Sequence, residues 1–326
     1  MADALVIKLS PNLLLGYMQN AFNQICTFLA EQKFNHRMEI LRNKIQTKYI
    51  NNTNIELFIL KQETAVSLEK YKDISFNVKM IASKKPESPK EKGSNPFDKE
   101  VCKNKYIAEL SSTHALIYNE YPMVPLHILI ITKEFESQMA PLSAADFYSV
   151  LEVMSSMNYF VFFNGGLNAG ASQKHKHLQA IPHDSFSGDL PLNMLVKKSK
   201  LKGETINNVQ YTRVEAFRFA HVLCKFNNLV SGLSDENIEE RSKQLEAMYI
   251  ESQKRLANSK LNIAYNMILT KEWMLIVLRK CELALNLIRV NALGFVGSFA
   301  VRSEVEYEFV QNTNPIEILN SITFPI

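Results

Sequence analysis

The chain has only four cysteines, Cys26, Cys102, Cys224 and Cys281, and no two of them form a Cys-x-x-Cys pair. A zinc ribbon needs such local pairs and a disulfide framework a denser set, so neither is indicated; no metal-ligand set is visible, and a reducing compartment, the cytoplasm or the nucleus, is expected. Long apolar runs are missing too. No stretch reaches the ~18 apolar residues of a membrane-spanning helix, and the opening Met-Ala-Asp-Ala carries no basic region ahead of an apolar run, so neither membrane insertion nor secretion is expected. Charge of one sign is not in large excess, with 37 Lys and Arg against 33 Asp and Glu and a formal net charge of +4. So weak a bulk field does not argue for a nucleic-acid partner.

What is present suffices for a large core: 326 residues, 46% of them hydrophobic. Apolar residues at helical spacing predict a helix around Leu13 to Gln32, followed by a polar connection near Gln46 to Asn54. A lysine-rich stretch from Lys84 to Lys105, broken by Pro86, Pro89, Gly93 and Pro96, reads mainly as a solvated loop. Strands are predicted at Thr113 to Tyr118 and His127 to Thr132, joined by a Pro-containing turn as an antiparallel pair. Ser143 with Asp146 three residues on resembles a capping box, and Phe147, Val150, Leu151 and Met154 follow at i, i+3, i+4 and i+7, an amphipathic helix. Tyr159 to Phe163 and a segment from about His175 complete the order strand, strand, helix, strand, strand. Beyond about Ser185 a helical insertion is expected, then a hairpin of Ile263 to Leu269 and Trp273 to Leu278. Gly294 and Gly297 interrupt an apolar run there, marking either a bulge in a core strand or the close approach of another group.

The densest chemistry lies in Asn164-Gly165-Gly166-Leu167-Asn168-Ala169-Gly170-Ala171-Ser172-Gln173-Lys174-His175-Lys176-His177-Leu178-Gln179. On a strand the period of two sets His175, His177 and Gln179 on one face and Lys176 and Leu178 on the other. The small residues before them let backbone N–H groups approach an anion closely. His114, His127, His183 and His221 lack such surroundings and read as structural or surface residues.

This motif resembles the fungal-type ATP adenylyltransferases, also called diadenosine tetraphosphate phosphorylases, of the histidine-triad-like superfamily. The resemblance extends to Asn95-Pro96-Phe97, His114 to Pro122, His127 to Thr132, Phe135, Gln138 and Pro141-Leu142. It resumes at Tyr265-Asn266, Thr270 to Met274 and Asn291 to Gly297. It implies an α+β fold, a histidine-triad-like antiparallel sheet with packed helices, whose carboxy-terminal α/β extension completes the nucleotide site. The expected division is 1–190 for the catalytic region, 191–261 for a helical insertion and 262–326 for the carboxy-terminal region. His177 is the implied nucleophile toward an α-phosphorus, His175 its orienting neighbour, and Gln179 the donor to a phosphate oxygen. A glutamine where histidine-triad hydrolases carry a third histidine favours transfer to a phosphorylated acceptor over water. The resemblance assigns substrate contacts to Lys85, Asn164, Gly170, Ala171, Ser172, Gln173, Asn291, Ala292 and Leu293. Ser298 and Arg302 join them, at positions where a methionine and a lysine are usual. The implied reaction is phosphorolysis of diadenosine tetraphosphate to ADP and ATP, with a divalent cation, magnesium, on the polyphosphate and no zinc. A nucleotide-sugar transferase such as a GDP-hexose phosphorylase, and a nucleotide-binding protein with weak catalysis, are the alternatives. Small molecules are the expected partners; base preference and oligomeric state stay open.

Overall fold

The computed structural model describes residues 11–51, 60–68, 73–81, 95–186, 189–199, 202–257 and 262–326. Its first element, helix α1 (Pro11–Asn51), runs far past the expected end at Gln32 and through the polar residues 46–51. The reason is a second apolar stripe: Phe34, Met38, Leu41 and Ile45 recur at helical spacing and are all buried, so packing overrides the polar composition of this half. Strands β1 (Leu60–Ser67) and β2 (Ser75–Ile81) follow as an antiparallel pair.

After a single helical turn, α2 (Lys99–Cys102), come β3 (Tyr106–Glu109), β4 (His114–Tyr118) and β5 (Ile128–Thr132). Helix α3 (Ala144–Ser156) begins at the predicted capping box, where the Ser143 backbone N–H donates to Asp146 Oδ2 at 2.8 Å. Then β6 (Tyr159–Gly165) and β7 (His177–Pro182) pair antiparallel with each other, and β7 also pairs with β5. The stretch expected to be a helical insertion holds helix α4 (Pro191–Lys198) and helix α5 (Ile238–Arg255). Between them lie three strands, β8 (Glu204–Ile206), β9 (Val209–Thr212) and β10 (His221–Lys225). These strands are short, and their pattern is dominated by the charged helix that follows. The predicted hairpin is present as β11 (Tyr265–Leu269) and β12 (Trp273–Leu278).

One antiparallel sheet of ten strands unites these pieces in the order β3-β4-β5-β7-β6-β11-β12-β10-β9-β8. It crosses both expected boundaries, because β11 pairs with β6 and β10 with β12. Both of its faces are covered, which is why its central strands read as continuous apolar runs rather than alternations. From β6, Tyr159, Val161 and Phe163 face the layer of α1, α3 and α5, while Phe160 and Phe162 face the opposite layer. At about 1.5–3 kcal/mol per buried large apolar side chain, this two-sided packing is the dominant local stabilisation. The opposite layer contains α4, the helix Ala292–Val296 and a smaller sheet in which β13 (Ser298–Val301) pairs parallel with β2. Gly294 and Gly297 therefore lie in and at the end of a short helix rather than in a bulged strand. Gly297 ends it with a left-handed φ of +105°, and a Cβ on Gly294 would meet Val290 Cγ1 at 2.4 Å. No helix among the described residues is long and apolar enough to cross a membrane.

Candidate active site

The site forms where β7 leaves the loop that follows β6. His177 heads the strand, and the Gln138 side chain locks it in place. Gln138 Oε1 accepts the His177 backbone N–H at 2.8 Å, and its Nε2 donates to the carbonyls of His177 at 3.1 Å and Asn164 at 2.9 Å. The His177 ring is fixed by its own segment, since Nδ1 lies 2.9 Å from the His175 carbonyl, which can only accept. Nδ1 therefore carries the proton and Nε2 keeps a lone pair. Burial pulls the imidazole pKa down to about 4, so the ring is neutral near pH 7. A neutral imidazole with a free lone pair is chemically a nucleophile.

His175 sits beside it and is fully engaged. Its Nε2–H donates to the Thr132 carbonyl at 2.9 Å, and its Nδ1 lies 2.8 Å from Asn95 Nδ2. Phe97 packs against both rings, with centroids 5.4 Å from His175 and 5.1 Å from His177. The contribution of His175 to its neighbour is the backbone carbonyl that sets the tautomer. Gln179 is oriented by His127, whose Nε2 lies 3.0 Å from Gln179 Oε1. Burial holds His127 neutral, with a pKa of about 4. The amide carbonyl is thus occupied and the NH₂ end is left for a ligand.

The loop is shaped by Gly166 and Gly170, at φ of +96° and +87°, where an L side chain is strained. A Cβ on Gly170 would also come within 2.8 Å of Asn291 Cβ, so the close apposition of loop and carboxy-terminal segment requires glycine. Two cavities open on either side of Ser172. The smaller, about 90 Å³, is lined by Phe97, Lys105, Tyr121, Ser172, Gln173, His177 and Gln179. The larger, about 430 Å³, is lined by Gly170, Ala171, Ser172, Asn291, Leu293, Ser298, Arg289 and Arg302. The backbone N–H groups of Ser172 and Gln173 have no partner among the described residues, so both can donate to an anion lying between the cavities.

Most of the residues singled out in the sequence converge here, with three exceptions. Lys85 lies outside the described residues. Asn164 lines neither cavity: its Oδ1 accepts from Asn266 Nδ2 at 2.8 Å and from the Ala292 backbone N–H at 3.1 Å, which ties the two halves of the chain together. Ala292 contributes only that N–H, its side chain being buried. His127, expected to be structural, touches the site through Gln179, and Gln138, Asn266 and Arg279 support it without having been singled out as site residues. Gln138 and Asn266 fall within segments carrying the family resemblance; Arg279 has no local signal. His114 and His221 are structural, the first bonded to Asp146 and the second to the Val214 N–H and the Phe219 carbonyl.

A neutral histidine on a central strand stands beside a glycine-bounded anion cradle, and the carboxy-terminal segment walls a second cavity on the other side of that cradle, the layout of a group-transfer site for an anionic substrate. Residues 31–198 match the Ap4A phosphorylase N-terminal domain and residues 215–325 the ATP adenylyltransferase C-terminal domain. The chain belongs to this Ap4A phosphorylase family. It is 26% identical over 222 residues to diadenosine 5',5'''-P1,P4-tetraphosphate phosphorylase 2 of Saccharomyces cerevisiae, which covers 60% of this chain and 64% of that protein, just under two thirds. It is 24% identical over 230 residues to protein APA1 of the same yeast, covering 65% and 68%. The crystal structure of yeast Ap4A phosphorylase Apa2 in complex with Ap4A shares the fold, at a TM-score of 0.70 and 21% identity over 88% of this chain and 98% of that one.

Proposed function

We propose that this protein phosphorolyses diadenosine tetraphosphate, releasing ATP and, with inorganic phosphate as acceptor, ADP. The observation that carries the reading is the His177 imidazole, neutral, protonated on Nδ1 and opening its Nε2 lone pair into the smaller cavity beside Ser172. Nε2 attacks the α-phosphorus of one adenylyl group; the phosphoanhydride bond breaks and ATP leaves with the electron pair. Phosphate oxygen then attacks the adenylyl-histidine, and the P–N bond breaks to return the imidazole and release ADP. Ser172 and Gln173 N–H groups and the Gln179 amide would hold the non-bridging oxygens, where charge builds in each displacement. Asn291, Leu293, Ser298 and Arg302 would contact the departing nucleotide from the larger cavity. Magnesium would enter with the substrate, shielding its phosphates. The cytoplasm suits the four unpaired cysteines.

The test is incubation of the pure protein with diadenosine tetraphosphate and magnesium, with and without inorganic phosphate, followed by chromatography of the nucleotides. ADP plus ATP formed only with phosphate is the expected result. AMP plus ATP without phosphate would make the protein a hydrolase, and no turnover would redirect the assignment to nucleotide sugars or to binding alone.

A further inference from the structure

Behind the anion cradle lies a charged group that the mechanism does not use. Arg279, directly after β12, is 1% exposed, and no carboxylate pairs with it among the described residues. Every partner of its guanidinium is neutral. Nη1 donates to Asn266 Oδ1 at 2.5 Å, and Nη2 donates to the carbonyls of Val290 at 2.7 Å and Cys281 at 2.9 Å. Its Nε has no partner, and the Phe295 ring stands 5.6 Å from its carbon centre. Through these contacts it grips both walls of the larger cavity. Val290 precedes Asn291, and Asn266 passes the link on to the Ala169 carbonyl at 2.9 Å, immediately before Gly170, and to Asn164 on β6.

We propose that Arg279 is a positioning residue whose buried charge, held without a direct ion pair, makes this pocket selective for polyphosphate over monophosphate, a role that rests on the pocket being a nucleotide site. A buried cation is costly unless an opposite charge faces it; the Glu282 carboxylate acts on Arg279 only through space and is ion-paired with Arg289, which leaves ligand phosphates in the larger cavity to supply further negative charge. In low-dielectric surroundings its attraction extends beyond hydrogen-bond distance and grows with each phosphate charge. Burial lowers the Arg279 pKa to about 10, which leaves the guanidinium charged at neutral pH.

The experiment is equilibrium titration of AMP, ADP and α,β-methylene ATP against the wild type, Arg279→Met and Arg279→Lys. Arg279→Met is expected to weaken AMP binding less than about threefold and the ATP analogue by roughly tenfold or more. Arg279→Lys keeps the charge at pH 7, but a buried ammonium loses its proton far more readily than a guanidinium. Its affinity for the ATP analogue should therefore fall between pH 7 and pH 9, a range in which the wild-type guanidinium keeps its proton and wild-type affinity changes little. The neighbouring titratable groups, Cys281 and Glu282, are common to both proteins. Equal weakening of all three ligands by Arg279→Met, or superimposable pH profiles, would overturn the proposal. If Arg279→Met does not fold, the Arg279→Lys profile decides alone. A wild type that binds none of the three would overturn the nucleotide reading and this proposal with it.

Discussion

The segment that runs from Lys176 into strand β7 presents two faces with opposite electrostatic solutions. On one, His177 and Gln179 are neutral groups whose hydrogen bonds to the protein are arranged so that one end of each stays unused. On the other, Lys176 is buried with all its charge matched: Nζ lies 2.9 Å from Asp146 Oδ2, 3.0 Å from Glu136 Oε2 and 2.9 Å from the Pro141 carbonyl, while Asp146 also receives His114. The strand period assigns consecutive residues to these two jobs. A lysine between two site histidines is thus an anchor to α3 and the loop before it, and the reactive face gains rigidity without taking on charge.

The sharpest way to break that division is to exchange the properties each face is said to carry. His177→Ala should lower turnover by about 10⁴-fold or more, as expected for loss of a covalent nucleophile, with a melting temperature within about 3 °C of the parent. Asp146→Asn should do the reverse. It leaves Lys176 buried with only the half-exposed Glu136 as an ionic partner and should cost about 3–5 kcal/mol in denaturant unfolding, with turnover per folded molecule within about threefold. If Asp146→Asn abolishes turnover in protein that remains folded, the two faces are not separable.

How far this arrangement can be read from the sequence depends on the distance along the chain over which each contact acts. The order of β4, β5, α3, β6 and β7 is legible because caps, turns and side-chain period act within about ten residues. The sharing of a face by His177 and Gln179 follows from the same period. What is not legible is tertiary. Asn164 meets Asn266 across 102 positions and His127 meets Gln179 across 52, and neither pair leaves a local pattern. Strands β8 to β10 are stabilised as sheet by their pairing with β12, not by their own composition. The second half of α1 is polar by composition and helical because four spaced apolar residues find a core.

Acid should take the two faces apart in sequence. His177 has a folded pKa of about 4, below its unfolded value near 6.5, so the unfolded chain binds the extra proton and stability falls as pH drops from about 6.5 toward 4. The window carries about 3 kcal/mol for this residue, and His127 and His221, also near 4 through burial, add to it. For Asp146, burial acts to raise the pKa, but the His114 hydrogen bond and the Lys176 charge outweigh it and hold the group at about 2. Its contribution, about 2 kcal/mol, is present above pH 4 and lost between about 4 and 2. Urea unfolding across pH should show the first window shallower by about one proton in His177→Ala and unchanged in Asp146→Asn. Identical slopes in the parent and His177→Ala would mean that this ring is not held neutral by burial.

The smallest expected effect tests whether the reactive face is organised by hydrogen bonds or only by packing. His127 donates to the Gln179 carbonyl oxygen, which leaves the amide NH₂ as the end presented to a ligand. Without that donor the amide can flip and offer an oxygen to phosphate, a repulsive contact felt most as charge builds on the transferring group. His127→Phe should therefore lower kcat by about tenfold with KM changed less than about threefold. His127→Gln, which retains an N–H donor, should recover most of the loss. Equal damage from both substitutions would mean that His127 acts through the shape of its ring, and the contrast between the two faces would then rest on His177 alone.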